Sequence, residues 1–589
     1  MEGLSVHAAN PPPGVARPGA VRDMAAASQR QIGRREHLRL RGVGGTELGA
    51  RSRGRRLIRW SKSCRRTRPE ILGGWRGARI CHGKLPSIAT ASHHTCPSTL
   101  GPFPLLQHII SSSSERLEPY PIMSVEVINT ISPTTNEAII TRNGASAADL
   151  EQLPKVATEA FESFRKTTLK ERQDIVRKFL KGLGDHESDL AQELTVQMGR
   201  PIAFTGKEIS TAVKRGEYLL KISDEALKDT DGEPEKGFKR FIRKVPVGPV
   251  LIIFAWNYPY LILVNSLIPA ILAGNTVILK PSPQTPTIVE RVAQIFSDAG
   301  LPKGVLQYFH CGSPTVMETI VRDPRIALVC FTGSVAGGLA VQKAAADRIV
   351  NVGLELGGKD PAYIRDDVDI DWAAEEIVDG AIFNSGQSCC SLERVYVDEK
   401  IHDGFVAAVQ KVLKGYKLGD PFDKSTHVGP VISKRSKEAI EAHIKDALDK
   451  GAKDATPENE SFANPPPKGN FVKPTLLTGV DHSMTVMTEE TFGPVIPIMK
   501  VKSDAEALKL MNDSEFGLTA SIWTKDTDKG HELAEDVEAG TVFVNRCDYP
   551  SPDLAWTGYK NSGKGQTLGR FGFEQFVKSK SFHVKDYPK

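Results

Sequence analysis

The sequence predicts an α/β protein built as two doubly wound lobes. Two observations carry that prediction. Short apolar runs recur along the chain with amphipathic, helix-length segments between them, the pattern of a parallel sheet whose crossovers are helices. The series then starts afresh after Leu356-Gly357-Gly358, where paired glycines permit backbone geometry that other residues resist, so a lobe boundary is placed there. A chain of 589 residues needs such a division, because a single core rarely grows past about 250 to 300 residues. With 40% hydrophobic and 25% charged residues the chain is ordinary for a globular protein, which excludes wholesale disorder.

Residues 1–122 stand apart. They hold about 20 Lys and Arg against about 7 acids and show no helical or strand period. Since the whole chain carries a formal charge of +5, the remainder is mildly acidic. An Arg-rich, acid-poor leader fits a mitochondrial transit segment and hence the matrix, but this length and Pro11-Pro12-Pro13 fit a disordered or wrongly assigned extension better. The expected location is then cytoplasmic, with orderly sequence starting at Met123.

From Ile131 onward helices are predicted at 147–168, 169–186 and 187–197. Asp231-Gly232-Glu233-Pro234 is turn chemistry feeding an alternating, exposed strand through Phe238 to Val245, and an exposed strand invites pairing. Strands follow at 250–255, 276–279, 305–309, 328–331 and 352–355. Residues 245–273 are uncharged and approach membrane-spanning length. Pro246, Pro249, Pro259 and Pro269 interrupt them, however, so they parse as a buried strand, a polar turn and a buried helix. The second series has strands at 362–364, 394–397 and 494–501, with helices at 370–383 and 504–511. Eight cysteines at no framework or metal-like spacing predict a reducing compartment, no disulfides and no metal site.

Two residues suggest covalent chemistry. Cys389, in Gly386-Gln387-Ser388-Cys389-Cys390, is a candidate nucleophile, and Glu355, at the end of an apolar strand before two glycines, is a candidate carboxylate base. A single cysteine is more often a small buried hydrophobe, and a single glutamate a solvated one, so their company decides. Asn257 closes another apolar strand, where its amide can donate to an oxyanion or merely form an Asn-Tyr-Pro turn. Phe331-Thr332-Gly333-Ser334 leads from a strand towards a helix at 339–345, whose first N–H groups can approach a diphosphate. The spacing is not that of a G-x-G-x-x-G fingerprint.

Trp256-Asn257, Lys280-Pro281-Ser282, Gly333-Ser334, Glu355-Leu356-Gly357-Gly358, Cys389 and Glu490-Thr491-Phe492-Gly493-Pro494, in that order, resemble the aldehyde dehydrogenase superfamily. The resemblance runs over about residues 125–585. It implies a cofactor-binding domain at 123–225 and 246–357, a catalytic domain at 358–570, and a small β oligomerisation element at 226–245 and 571–589, in a homodimer or homotetramer. It also implies NAD(P)-dependent, hydrolytic oxidation of a small-molecule aldehyde, with Cys389 as nucleophile, Glu355 as base and Asn257 as oxyanion donor. Lys280, Ser282, Gly333, Ser334, Glu490, Phe492 and Trp256 are the implied cofactor contacts.

Two positions depart from the family. A glutamate usually follows the lysine by three residues and binds the ribose, but here Pro283 stands there, which leaves NAD against NADP open, with NAD favoured. Gln566 occupies a place where arginine is frequent. Cys390 reads as a structural neighbour of the nucleophile. A coenzyme A-acylating relative is disfavoured by Glu355, and a catalytically silent scaffold by the retention of both thiol and carboxylate. Arg546, in a segment bordering the substrate mouth by resemblance, is a candidate for a substrate carboxylate or a surface ion pair. No nucleic-acid or membrane partner is expected.

Overall fold

Uncharged apolar runs become the strands of two parallel sheets in the computed structural model, which describes residues 125–587; the amino-terminal extension lies outside the described residues. The first sheet has six strands in the order Gly563–Lys564, Asn351–Glu355, Leu328–Thr332, Pro249–Ile253, Thr276–Lys280 and Leu306–Tyr308. All neighbours are parallel except the first pair. Pro249–Ile253 lies inside the sheet with all five residues buried, because helices cover both faces. One of them is Pro259–Ala273, so the long apolar stretch is a core strand and helix. Among the described residues no helix is long and apolar enough to cross a membrane.

The second sheet has seven strands, in the order Lys453–Asp454, Thr475–Thr478, Val495–Val501, Leu392–Asp398, Asp360–Ile364, Thr519–Trp523 and Thr541–Val544. Only its first pair is antiparallel. The fold is therefore α/β with two lobes. A separate three-stranded sheet pairs Val577–Lys585 with Phe238–Pro246 over nine residues, with Thr230–Asp231 on the far side. The strand expected near residue 240 thus finds a partner in the chain's own tail.

Three departures from the sequence reading have physical reasons. The helix predicted at 147–168 ends at Phe164, because Thr168 is the N-cap of the next helix, Leu169–Asp185, and forms a capping box with Glu171. The helix predicted from 339 starts at Val335, because the Ser334 hydroxyl accepts from the Gly337 N–H at 3.2 Å. The 25-residue helix Ile202–Ala226 was not predicted at all. It follows Pro201 without a side-chain cap, and polar residues on its buried face, Glu208 and Arg215 among them, break the apolar period.

Gly563–Lys564, expected in the catalytic domain, is instead an edge strand of the first sheet, against Leu354 and Glu355. Gly563 has φ +128°, and a Cβ there would lie 2.2 Å from the Leu354 carbonyl oxygen, so only glycine lets the tail approach this closely.

Candidate active site

Lys280, Thr332 and Glu355 are the last residues of three parallel strands in the first sheet. They share its carboxyl edge, where ligands of open α/β sheets bind. The Glu355 carboxylate accepts hydrogen bonds from Thr567 Oγ1 at 2.5 Å and Thr332 Oγ1 at 3.4 Å. Burial pushes its pKa up, while the two hydroxyls and the charge of Arg215 pull it back. Thr567 reaches it because the Gly563–Lys564 strand brings the tail across the sheet edge. Sequence reading missed that hydroxyl, which lies 212 residues from Glu355.

Cys389 follows a tight turn, Phe383–Gly386, in which Asn384 and Ser385 have φ of 55° and 58°. These left-handed conformations cost energy and persist only where neighbours over-determine them. Several do. Asn384 Nδ2 and Gln387 Nε2 donate to the carbonyls of Gln387 and Asn384, both at 3.1 Å, and Gln387 Oε1 accepts from the Ile432 N–H at 2.7 Å. Gly386 is wedged against the loop after Glu490, since a Cβ there would sit 2.1 Å from the Gly493 oxygen.

Arg200 ties this turn to the Asn257 segment. Its Nε donates to Asn384 Oδ1 at 3.0 Å, one Nη to the Asn257 carbonyl and the other to the Glu208 carboxylate. The Tyr258 ring lies beneath it at 4.4 Å. Both charges of the Arg200–Glu208 pair are almost wholly buried. Removing one partner of such a pair leaves the other uncompensated, so Arg200→Met is expected to lose roughly 3–5 kcal/mol of stability. Denaturant unfolding measures this, and a loss under about 1 kcal/mol would contradict it.

Cys389, Glu355 and Thr332 open onto one cavity of about 200 Å³. Cys390 lines the same cavity, but its thiol is engaged: its Sγ donates to Asp548 Oδ1 at 2.8 Å, and the Ser388 hydroxyl donates to the same oxygen at 3.1 Å. The adjoining Cys389 thiol and burial push the Cys390 pKa well up. Burial raises the carboxyl of Asp548, which lines the same cavity, to about 7. Asn257 is buried just behind the cavity lining, with its Nδ2 donating to the Gln387 carbonyl at 3.3 Å. Arg546, by contrast, is exposed, stacks on Tyr549 with its guanidinium 3.8 Å from the ring centre, and does not line the cavity. From that segment Asp548, in a left-handed turn at φ 47°, lines the cavity together with Tyr549 and Pro550.

The remaining candidates surround the sheet edge. Lys280 is largely buried, its ammonium has no acceptor among the described residues, and burial pushes its pKa down. Ser282 Oγ accepts from the Gln284 N–H at 3.2 Å, and the Pro283 carbonyl accepts from Thr130 at 2.8 Å. Gly333 donates its N–H to the Glu355 carbonyl at 3.1 Å. Ser334 caps the helix that starts there. Glu490 Oε1 accepts from the Gly358 N–H at 2.9 Å, and burial with the neighbouring Glu393 carboxylate pushes its pKa to about 8.

Glu393, also missed in sequence, fixes that loop by accepting from the N–H groups of Thr491 and Phe492 at 2.7 and 2.8 Å and from Lys359 at 2.7 Å. Phe492 meets Trp256 edge-on, with ring centres 5.7 Å apart. Among the described residues no group of three or more His, Cys, Asp or Glu side chains could hold a metal ion.

Comparison with known proteins agrees with this geometry. The model of the aldehyde dehydrogenase family matches residues 122–582. A Staphylococcus saprophyticus protein whose name places it among the aldehyde dehydrogenases is 33% identical over 463 residues, covering 78% of this chain and 95% of its own. The solved structure of Staphylococcus aureus betaine aldehyde dehydrogenase in complex with NAD+ superposes with a TM-score of 0.74 at 31% identity, over 79% of this chain and 92% of that one. An E. coli NADP-dependent enzyme superposes with a TM-score of 0.74 at 29% identity, over 78% and 95%.

Proposed function

Because the chain belongs to the aldehyde dehydrogenase family, it is an enzyme of aldehyde oxidation, and we propose that it makes carboxylic acids through a covalent thioester on Cys389, with Glu355 as the base that releases them. One observation carries the reading: Cys389 and Glu355 open onto the same cavity while the adjacent thiol of Cys390 is engaged by Asp548.

The Cys389 thiolate attacks the aldehyde carbon and forms a thiohemiacetal. Its oxyanion takes hydrogen bonds from the Cys389 N–H and from the Asn257 amide, which must turn part of its donor capacity from the Gln387 carbonyl. A nicotinamide cofactor, when bound, supplies the acceptor for the hydride that the carbon loses. Glu355 then takes a proton from the water that attacks the thioester, and the acid leaves as Cys389 is regenerated.

The chain's own groups fit NAD or NADP. The unpaired Lys280 ammonium suits a ribose hydroxyl, the N–H groups after Gly333-Ser334 suit a diphosphate, and the Glu490 carboxylate suits a second ribose. With Ser282 beside Lys280, and Trp256 and Phe492 flanking Glu490, these are the residues proposed to hold the cofactor.

The full-length protein, assayed on a panel of aldehydes with NAD and NADP in parallel and with or without coenzyme A, is expected to release free acid without coenzyme A. Turnover only with coenzyme A, or none, would overturn the proposal. In the same assay Pro283→Glu should shift the NAD-to-NADP ratio of kcat/KM at least about fivefold towards NAD, because a carboxylate there repels a 2′-phosphate. An unchanged ratio would remove Pro283 as a determinant.

A further inference from the structure

Arg215 projects from the inner face of the Ile202–Ala226 helix into the cavity shared by Cys389 and Glu355, and only 6% of its surface is exposed. Its hydrogen-bond partners are neutral. Nη1 donates to Asn265 Oδ1 at 3.0 Å and Nη2 to the Pro550 carbonyl at 3.3 Å, and it forms no ion pair with any described residue. The contrast is Arg200 in the same wall, whose charge is met by Glu208. Burying a cation without a counter-ion is costly, and the guanidinium fork keeps N–H donors with no protein acceptor. Asn265 lines the cavity too, and because its Oδ1 is taken by Arg215, its amide N–H groups are left free.

No carboxylate facing this cavity forms an ion pair with Arg215, although the charge of Glu355 acts on it at longer range. Glu208 belongs to Arg200, Glu355 is held by two threonines, and Asp548 is held by Cys390 and Ser388. Glu355 and Asp548 also hold their protons more tightly than ordinary carboxyls, which reduces the negative charge they set against an incoming anion. The wall that holds Arg215 and Cys389 also includes Leu261, Ile262 and Trp556, a surface for methylene groups.

We propose that Arg215, with the Asn265 amide, selects aldehydes that carry a carboxylate at their far end: the carboxylate of a straight-chain ω-oxo acid docks on the guanidinium fork while the aldehyde carbon meets Cys389. The inference rests on the covalent reading of Cys389 given above.

The test compares kcat/KM of the full-length enzyme for straight-chain ω-oxo acids and for n-alkanals of the same carbon number. The parent is expected to prefer the oxo acid at least about thirtyfold, since a site built to pair a polar group discriminates strongly against the analogue that lacks it. Arg215→Met should bring that ratio to about one, mainly through KM for the acid, and Arg215→Lys should recover part of it. A straight-chain dicarboxylate should inhibit the parent competitively and lose that inhibition in Arg215→Met.

A parent ratio near one overturns the inference whatever the variants do. So does a ratio that survives in Arg215→Met, or an equal fall for both substrates with dicarboxylate inhibition intact, because Arg215 would then serve Glu355 or the fold. Oxidation of alkanals without acid preference leaves the covalent reading standing. Failure to oxidise either substrate sinks both.

Discussion

Replacing Cys389 with alanine is expected to abolish aldehyde oxidation, by about 10⁴-fold or more, while leaving cofactor binding within about twofold of the parent. The loss is large because nothing nearby can take over. The only adjacent sulfur, Cys390, donates its proton to Asp548, and its raised pKa keeps it a thiol at neutral pH. The Asn384 and Gln387 hydrogen bonds hold the turn before the two cysteines in place, so Cys390 is not free to move into the position of Cys389. Binding survives because Lys280, Ser334 and Glu490 are positioned by other strands and loops. Steady-state turnover and fluorescence titration with reduced cofactor check the two halves separately. Residual oxidation above about 1% of the parent rate would remove Cys389 as nucleophile, and Cys390→Ser serves as the control that keeps its activity.

Glu355→Gln should lower steady-state turnover by about 10²- to 10³-fold, the range in which a general base contributes, yet leave a first-turnover burst of reduced cofactor. The burst separates thioester formation from hydrolysis. Its disappearance would move Glu355 to the first half of the reaction, and an unchanged steady rate at neutral pH would remove it altogether. The sign of the pH dependence follows from burial. Glu355 acts as a base only when ionised, and its pKa is raised, so the parent's deacylation rate climbs as pH rises through that value and the glutamine variant's profile loses this limb.

Stability runs the other way. A carboxyl whose folded pKa is raised contributes stability that is present at low pH and lost as pH rises through the folded value. Glu355→Gln is therefore at least as stable as the parent above that pH, which thermal unfolding reads directly.

Core strands such as Val250-Leu251-Ile252-Ile253 were legible in the sequence because they are buried on both faces and read as uninterrupted apolar runs, whereas Thr475–Thr478, Thr519–Trp523 and Thr541–Val544 of the second sheet, short and mixed with threonine and serine, were not. Cys389, Glu355 and Glu490 were legible because they sit beside glycines and prolines whose order is specific. What surrounds them was not. Arg200, Glu208 and Arg215 lie on or just before the Ile202–Ala226 helix, where charge facing inward looks like a solvated surface pattern. Thr567 and Glu393 act on residues far away in the chain, and no local pattern announces a hydroxyl or carboxylate that will be delivered by a sheet edge. In the 545–550 segment the formal charge of Arg546 drew notice, whereas the charged residue that lines the cavity is Asp548, in a turn with positive φ that no local sequence pattern announces.

The chain's last segment does three jobs in sequence. It borders Glu355 as the Gly563–Lys564 strand, offers Thr567 to the Glu355 carboxylate, and zips along Phe238–Pro246 as Val577–Lys585 after burying Phe573 and Phe576 in the core. A pull on the tail is thus transmitted to the base through paired backbone and packed aromatics. That makes the carboxyl terminus a poor place to hang a purification handle or a reporter, because strain or proteolytic nicking there would surface as lost catalysis long before the rest of the protein came apart.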